Sequence, residues 1–483
     1  MSLHLARRLP SRWFGRLGSA AGCKQGQASS VRGMANQGND PWLTATPRVC
    51  LHDVPTTLRA GGLPPHAPVT LSANLTDENG REFCSCAHYV TDETGDVDVR
   101  RGAAVGGSYT GVFPAGLLTT LAPASHEAPF IRLYRRNSSL PWKIKVSVLD
   151  GHQPNGSKTK MLTEVELERH LMAPGVRRRP VREGRVRGAL YLPPGDGPFP
   201  GVIDMFGSVG GLLEFRSAML ASRGFASLAL ATFAYDDLPA TTDHMDLDYF
   251  EEAVELLLAV PQVIPDRCGT VAVSKNGDVA LSMATLMNAV KAVVGINTCI
   301  MAHGSRLTYK GELYREDNTP FDKGLMRTER GTYARCMQSH FTVDNPAMIP
   351  VEEADEDTHF LMVAGEADSW GFGGALAPFR ERMLRHNKHN FELVLYPGTG
   401  HLIEPPYGPH ISQSFHRYIT MNDEGESSIR KIPMDWGGQP QPACAAQEDL
   451  WFRMCTFLMN HVREESPWFQ QHVARQAPQN TTL

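Results

Sequence analysis

Three residues whose side chains could act together in nucleophilic catalysis occur in the order serine, aspartate, histidine. Ser274, Asp368 and His401 each follow a short apolar stretch of the chain. A serine hydroxyl is a weak nucleophile until an imidazole accepts its proton, and the imidazole needs a carboxylate on its other nitrogen to fix the tautomer. The residue types therefore predict Ser274 as nucleophile, His401 as general base and then acid, and Asp368 as orienting carboxylate.

The surroundings of Ser274 resemble a sharp turn from a strand into a helix. Residues 271–273 are apolar, with β-branched Val271 and Val273, and residues 279–287 carry apolar side chains at helical spacing. Such a turn lifts the serine out of the sheet, and its usual pattern is G-x-S-x-G because strand and helix lie very close. Ala272 and Asn276 replace the two glycines here, so the larger side chain of Asn276 is expected to tilt the serine or narrow the space beside it. A serine that only caps the helix is the alternative at this motif.

A tetrahedral intermediate at Ser274 would need hydrogen-bond donors for its negative oxygen. We expect these donors to be the backbone N–H of Lys275 and that of Phe206 or Gly207. Gly207 and Gly210 belong to a glycine-rich loop that permits the close backbone approach required.

The elements that must position these residues alternate between strands and helices. Predicted strands end just before Ser274, at Ala364 and at Tyr396, and helical patterns separate them. Functional loops of a parallel sheet gather at the carboxyl ends of its strands, so the three side chains are expected to meet there. α/β-Hydrolases carry their catalytic residues in this chain order.

Other interpretations of the same residues remain open at the sequence level. Asp368 could be a loop residue with Glu366 as the acid, and His401 could be structural. The 18 histidines are scattered without an H-E-x-x-H motif, and residues 207–211 do not match G-x-G-x-x-G. No metal or redox cofactor is therefore expected.

Composition excludes several classes of protein. The chain has 483 residues, of which 42% are hydrophobic and 20% charged, enough for about two or three domains. A net charge of −5 argues against a nucleic-acid partner, and no apolar run reaches the roughly 18 residues of a membrane span. The nine scattered cysteines indicate free thiols in a reducing compartment.

Residues 1–39 have the composition of a mitochondrial presequence. They contain no Asp or Glu, and serines and small residues separate their basic side chains. These are Arg7, Arg8, Arg12, Arg16, Lys24 and Arg32. A disordered basic tail is the alternative.

Pattern divides the remaining chain into two domains and a tail. Residues 45–162 contain short alternating strands punctuated by Pro and Gly, which predicts an all-β sandwich. Residues 163–465 alternate strands and helices, including a last helix at 448–462, which predicts an α/β domain with a mostly parallel sheet. Residues 298–357 lack periodicity and are expected to form a cap. Residues 466–483 form the tail.

Several segments resemble the acyl-CoA thioesterase/bile acid-CoA:amino acid N-acyltransferase family, over about residues 45–465. The segments are Pro198 to Gly207, Gly210 to Arg216, Ser274-Lys275 with Gly277, Gly400 to Tyr407, and Trp436 to Gly438. The resemblance implies an immunoglobulin-like β-sandwich followed by an α/β-hydrolase domain. It also implies hydrolysis of long-chain acyl-CoA to fatty acid and CoA, with Ser274, Asp368 and His401 as the triad.

The same resemblance refines the expected reaction and location. Family members that transfer acyl groups to glycine or taurine have cysteine at the nucleophile position, so Ser274 favours water as the acceptor. The basic leader favours the mitochondrial branch and the matrix, and a monomer is expected. The alternatives are an acyl-CoA:amino acid N-acyltransferase, or a catalytically weak acyl-CoA-binding paralogue, which Asn276 suggests.

Overall fold

The computed structural model describes residues 40–125, 129–156, 160–317, 326–333, 341–421 and 427–463. The predicted presequence and the predicted tail at 466–483 lie outside the described residues, as does part of the predicted cap. Among the helices of the described part, none has the length and apolarity needed to cross a membrane.

The first part of the described chain folds into two β-sheets that share one apolar core. Its elements are β1 (Trp42–Thr46), β2 (Val49–Leu51), β3 (Thr57–Gly61), β4 (Pro68–Thr76), β5 (Glu82–Val90), β6 (Val97–Asp98), β7 (Gly106–Gly107), α1 (Gly116–Thr119), β8 (Ala122–Pro123), β9 (Trp142–Asp150) and β10 (Met161–His170). One sheet has the order β1-β3-β6 and the other the order β2-β10-β9-β4-β5-β7, with β8 beside β5. On β9, Ile144 and Val146 are buried, whereas Lys143 and Lys145 are exposed. This alternation places one face of the strand in the core of a sandwich.

The change from one sheet to the next comes later than the predicted boundary at 162/163. That boundary lies inside β10, which pairs with β9 and, at its end, with β2. The larger sheet begins only at Arg177. Strand β10, in which buried and partly buried residues alternate near its end, therefore continues to His170, eight residues past the predicted domain boundary.

The second part of the chain contains the large sheet and two small ones. Its strands are β11 (Arg177–Glu183), β12 (Val186–Leu192), β13 (Phe199–Met205), β14 (Ala226–Leu230), β15 (His244–Asp246), β16 (Val263–Val273), β17 (Val290–Ile296), β18 (Ser305–Tyr309), β19 (Glu312–Asp317), β20 (Met326–Thr328), β21 (Gly331–Tyr333), β22 (His359–Gly365), β23 (Phe391–Tyr396), β24 (Gln413–Met421) and β25 (Ser427–Asp435). The large sheet has the order β11-β12-β14-β13-β16-β17-β22-β23. Within it, β12 runs antiparallel to both neighbours and the other pairs are parallel. This is the sheet of an α/β-hydrolase. The predicted fold class, such a domain with a mostly parallel sheet after a β-sandwich, is confirmed.

Helices cover both faces of the large sheet. They are α2 (Phe215–Ala221), α3 (Leu247–Leu258), α4 (Asn276–Leu286), α5 (Leu376–Arg385) and α6 (Pro440–Arg463), with short 3-10 turns at Val351–Glu353 and Phe372–Ala375. On one face, Phe250 of α3, Met283 of α4 and Phe379 of α5 belong to one apolar core. On the other, Met219 of α2 and Leu458 of α6 belong to a second core. Since both faces are covered, strands such as β13 are buried along their whole length.

The connections between strands contain elements that the sequence did not predict. β18 and β19 pair within the predicted cap, and β24 pairs with β25 beyond it. The small sheets that result have the orders β15-β18-β19 and β20-β21-β25-β24. These strands are more polar than those of the large sheet, and therefore lack the apolar runs by which the central strands were recognised.

A buried polar cluster joins the β-sandwich to the α/β part. Asp53 accepts hydrogen bonds from Arg223 just after α2, at 2.6 and 2.7 Å, and from the indole N–H of Trp451 on α6, at 2.7 Å. The backbone N–H of His410 also donates to the carbonyl oxygen of Thr119, at 2.8 Å. The two parts are therefore tied by charge-assisted bonds as well as by apolar packing.

Candidate active site

Ser274 lies at the turn between β16 and α4 with a backbone φ of 56°. This left-handed conformation is uncommon for a residue other than glycine, and it persists only where surrounding bonds fix it. The N–H of Ser274 donates to the carbonyl oxygen of Ile296, and its own carbonyl oxygen accepts the N–H groups of Gly277 and Cys299, each at 3.0 Å. The backbone of the serine is thus held in the strained turn of a nucleophile elbow.

Glycines allow the backbone to approach Ser274 closely. A Cβ atom added to Gly207 would lie 2.8 Å from the Cβ of Ser274 and 3.4 Å from its hydroxyl oxygen. A Cβ atom on Gly277 would lie 2.4 Å from that of Thr298. Ala272, in place of the first glycine of the usual motif, is fully buried in the core that includes α3 and α4. The methyl group there is accommodated by the packing of the strand.

The imidazole of His401 is paired with Asp368. Its Nδ1 lies 3.1 Å from Oδ2 of Asp368, and both side chains are buried. The same carboxylate accepts the backbone N–H groups of Trp370, at 2.8 Å, and of Phe372, at 3.3 Å. The other candidate acid, Glu366, is exposed and accepts the N–H of Gly398 instead. Of the two carboxylates, Asp368 is the one that contacts the imidazole.

Aromatic side chains hold the ring of His401. It stacks on Trp436 with ring centres 5.3 Å apart, and Phe372 lies at 5.2 Å. Trp436 in turn stacks on Trp370 at 6.0 Å. Because Nδ1 is occupied by Asp368 and the ring is packed against aromatics, Nε2 is the nitrogen left for proton transfer.

Asn297, which sequence analysis missed, connects the loops that carry Ser274 and His401. It follows β17 directly, and its side-chain amide donates to the carbonyl oxygens of His401, at 2.7 Å, and Gly400, at 3.2 Å. Its Oδ1 accepts the N–H of Gly365 at 2.8 Å. The carbonyl oxygen of the preceding residue, Ile296, accepts the N–H of Ser274. A polar residue directly after an apolar strand was the available signal.

The described residues show no hydrogen bond from the Ser274 hydroxyl to His401. The structure thus brings the imidazole and carboxylate together. It places the serine at the end of β16, which is separated from β22 by β17, and Asn297 at the end of β17 bonds the carbonyl oxygen of His401. Catalytic hydrogen bonds are often long without substrate and shorten in the complex.

The predicted oxyanion-hole residues lie on two sides of the serine. Lys275 is the N-cap of α4, where the partial positive charge of the helix favours a negative oxygen. Its ammonium group pairs with Asp278, a fully buried carboxyl whose pKa is raised by burial and lowered in part by this lysine. Phe206 and Gly207 follow β13, against Ser274.

Two guanidinium groups flank the ring of Phe206. Arg216 lies 5.0 Å from its centre and Arg132 lies 5.7 Å away. Arg216 donates to Asp204 at 2.7 Å. Arg132 forms an ion pair with Glu404 in the loop between β23 and β24 that carries His401 (residues 397–412, the histidine loop). Burial lowers the pKa of Arg132 to about 10, so it remains charged at neutral pH. The β-sandwich therefore contributes a cation beside the site.

A second buried histidine, His416, lies against the loop that follows β13. Nε2 of His416 is 3.3 Å from the hydroxyl oxygen of Ser208, and its ring is perpendicular to that of Trp436. Burial lowers the pKa of His416 to about 4, and the nearby charges of His401 and Arg132 act in the same direction. His416 is therefore neutral at neutral pH. Sequence analysis missed it because its partner is far away along the chain.

Comparison with known proteins places these features in a family. The N-terminal region of the acyl-CoA thioester hydrolase/BAAT family matches residues 53–183, and the BAAT/acyl-CoA thioester hydrolase C-terminal region matches residues 245–464. The chain belongs to this family. The C-terminal match contains Ser274, Asp368 and His401, so all three lie in the part shared by the thioester hydrolase family.

Relatives of this thioester hydrolase family member are similar over most of its length. Human acyl-coenzyme A thioesterase 1 is 39% identical over 417 residues, which cover 86% of this chain and 94% of the relative. Mouse acyl-coenzyme A thioesterase 3 is 41% identical and covers 86% and 92%. Human mitochondrial acyl-coenzyme A thioesterase 2 is 38% identical and covers 86% and 82%.

Proposed function

We propose that this chain hydrolyses long-chain acyl-CoA thioesters to free fatty acid and CoA by a Ser-His-Asp mechanism. Membership of the thioester hydrolase family and relatives named acyl-coenzyme A thioesterases support the reaction. The observation that carries the mechanism is the buried pair of Asp368 and His401 on strand ends beside the strained serine turn. The proposed mechanism requires no metal or redox cofactor.

In the first half of the reaction, the hydroxyl of Ser274 attacks the thioester carbonyl and transfers its proton to Nε2 of His401. Asp368 stabilises the imidazolium through Nδ1. The carbonyl oxygen, now negative, accepts hydrogen bonds from the N–H of Lys275 and that of Phe206 or Gly207. Collapse of the intermediate breaks the C–S bond. His401 donates its proton to the sulfur of the leaving group, and CoA departs as the free thiol.

In the second half, water hydrolyses the acyl-enzyme. His401 accepts a proton from water, which attacks the ester carbonyl, and then returns the proton to the oxygen of Ser274. The products are the free acid and the original enzyme. The transferase alternative uses an amino acid amine in place of water, so incubation with glycine or taurine and detection of an amide product separates the two reactions.

The test of this proposal uses palmitoyl-CoA and a thiol reagent that detects released CoA. The wild type is expected to release CoA, and Ser274→Ala is expected to lose nearly all of this rate. Ser282→Ala is the matched control, because Ser282 is buried on α4 and its hydroxyl donates to the carbonyl oxygen of Asp278, within the same helix. A rate unaffected by Ser274→Ala, or no hydrolysis by the wild type, would overturn the proposal.

We further propose that the chain acts in the mitochondrial matrix. The acid-free composition of residues 1–39 and the relatives named mitochondrial support this location. Fusion of these residues to a fluorescent protein should direct it to the matrix, and diffuse cytosolic fluorescence would contradict the proposal.

A further inference from the structure

Asn276 occupies the second glycine position of the usual elbow and forms specific bonds there. It is the first residue of α4, and its side chain is fully buried. The side-chain Nδ2 donates to the carbonyl oxygen of Phe206 and, at 3.2 Å, to the hydroxyl of Thr232. The residue therefore connects the serine turn to the loop on the opposite side of the site, a connection that glycine cannot make.

The carbonyl of Phe206 and the N–H of Gly207 belong to one peptide group. The cis peptides among the described residues are Thr46-Pro47 and Gly197-Pro198, so this group is trans and its C=O and N–H point in opposite directions. Holding the carbonyl at Asn276 consequently fixes the direction of the Gly207 N–H. That N–H belongs to a residue packed so close to Ser274 that a Cβ atom added to it would lie 2.8 Å from the Cβ of the serine.

The amide of Asn276 is satisfied on one side only. Its Oδ1 is buried and has no hydrogen-bond partner among the described residues. An unpaired buried oxygen is unfavourable for folding, so the contribution of this residue lies in the bonds that its NH₂ group donates. The amide group is therefore oriented with its NH₂ toward the carbonyl oxygen of Phe206.

The loop that follows β13 is also held by contacts on the side away from Asn276. Ser208 contacts His416 at 3.3 Å, and the N–H of Val209 donates to the carbonyl oxygen of Gly207 at 2.9 Å. Asn276 thus supplies the contact on the side of α4. Without it, the peptide between Phe206 and Gly207 loses the bond that resists its rotation.

We infer that Asn276 is a positioning residue that orients the Gly207 N–H toward the oxygen of the tetrahedral intermediate. This inference rests on the proposed function. Asn276 touches neither substrate nor reacting atoms, and acts through the Phe206 peptide. Its contribution is made in the transition state, where the oxygen is negative, more than in substrate binding.

The test compares Asn276→Ala and Asn276→Asp with the wild type. Alanine removes the donor, and aspartate keeps the shape but places an oxygen against the Phe206 carbonyl. Both variants should lower kcat for palmitoyl-CoA by about 10- to 100-fold, less than the largest losses from deleting an oxyanion donor outright, while KM changes less than about twofold.

Two non-hydrolysable ligands separate this role from a structural one. A trifluoromethyl ketone analogue of acyl-CoA forms a negative adduct with Ser274, and its affinity should fall in both variants by the same factor as kcat. A thioether analogue without the carbonyl should bind as it does to the wild type. Thr285→Val removes a hydroxyl at the far end of α4, where it bonds Ser282 and Tyr314, and should leave kcat unchanged.

The outcomes distinguish this inference from the proposed function. If Ser274→Ala abolishes hydrolysis but Asn276→Ala and Asn276→Asp retain wild-type kcat and ketone affinity, the inference is overturned and the proposed function stands. Equal losses of ketone and thioether affinity would also overturn it, because they would indicate a distorted binding site. If wild type does not hydrolyse acyl-CoA, the proposed function itself fails.

Discussion

At the scale of single residues, the site depends on how the carboxylate of Asp368 is occupied. It accepts two backbone N–H groups in addition to Nδ1 of His401. A carboxylate held in this way resists rotation away from the imidazole. In the proposed mechanism it favours the tautomer that leaves Nε2 available for the proton of Ser274. Its buried position removes competing water.

Replacement of this carboxylate tests its role. Asp368→Asn should lower kcat by about 10³- to 10⁴-fold, because an amide can present its NH₂ group to Nδ1 and favour the wrong tautomer. Steady-state kinetics with palmitoyl-CoA measure the effect. Glu366→Gln, on the exposed neighbour, should retain the wild-type rate. Similar losses in the two variants would contradict the assignment.

The residue types of the site could be predicted from sequence, whereas their supporting contacts could not. Ser274, Asp368 and His401 follow strands, whose carboxyl ends share one edge of the sheet, and the structure pairs the last two. The catalytic role of all three stays a prediction. The polar residue after an apolar strand marks Asn297 as a candidate. Its partners Gly400 and His401, however, lie more than 100 residues away, as does Ser208 from His416, and nothing in the sequence indicates these pairings. The deciding information for these two is three-dimensional packing.

At the scale of elements, Asn297 is the joint between β17, β22 and the histidine loop. Its backbone φ of 46° is left-handed, a conformation that asparagine tolerates better than most residues. Three hydrogen bonds of its side chain reach three backbone groups from two other segments. The relative positions of the strand ends therefore depend on one side chain.

Asn297→Ala should lower the free energy of unfolding by about 2–4 kcal/mol, since three buried backbone groups lose their partner. It should also lower kcat, because the histidine loop is released. Chemical denaturation and kinetics measure the two effects. Asn387→Ala is the control, because Asn387 is exposed and also has a left-handed φ of 56°. An equal loss in both variants would assign the effect to backbone conformation alone.

Strands and helices with runs of apolar residues could be predicted from the sequence. Polar strands and the first turns of helices, which lack such runs, were harder to predict. The helix predicted at 448–462 begins at Pro440, eight residues earlier. Proline is favoured in the first turn of a helix, and the small residues Ala443 and Ala446 are buried there without an obvious stripe of large side chains. The hairpin of β24 and β25 was missed for the same lack of apolar periodicity.

At the scale of the whole molecule, Asp53 joins the β-sandwich to helices on the back of the large sheet. Its carboxylate is almost fully buried and bonds both Arg223 and Trp451. Asp53→Ala should lower the free energy of unfolding by about 3 kcal/mol, because it removes the carboxylate from a partly buried guanidinium. Asp96→Ala, whose ion pair with Arg59 is near the surface, should cost under about 1 kcal/mol in the same denaturation experiment. Equal costs would contradict this view of the junction.

Stability of the whole chain should also depend on buried histidines. Burial lowers the pKa of His52, His410 and His416 to about 4, from 6.5. As the pH falls, these histidines take up protons in the unfolded chain before they do so in the folded protein. The free energy of unfolding is therefore highest above pH 6.5 and declines as the pH falls toward 4, by on the order of 3 kcal/mol for each histidine. Denaturation at a series of pH values should show the decline. His410→Gln should reduce its slope, and an unchanged slope would contradict the expectation.

The stacked rings of Trp370, Trp436 and His401 have an optical consequence. A charged imidazole quenches the emission of an indole in contact with it, and neutral imidazole does so far less. In the adduct of a trifluoromethyl ketone with Ser274, the proposed mechanism leaves the proton on His401, and the fluorescence of Trp436, whose ring centre lies 5.3 Å from that of the imidazole, is expected to be dimmer. A fall in tryptophan fluorescence when the ketone binds, absent with the thioether analogue, would report the charged imidazole without any added label.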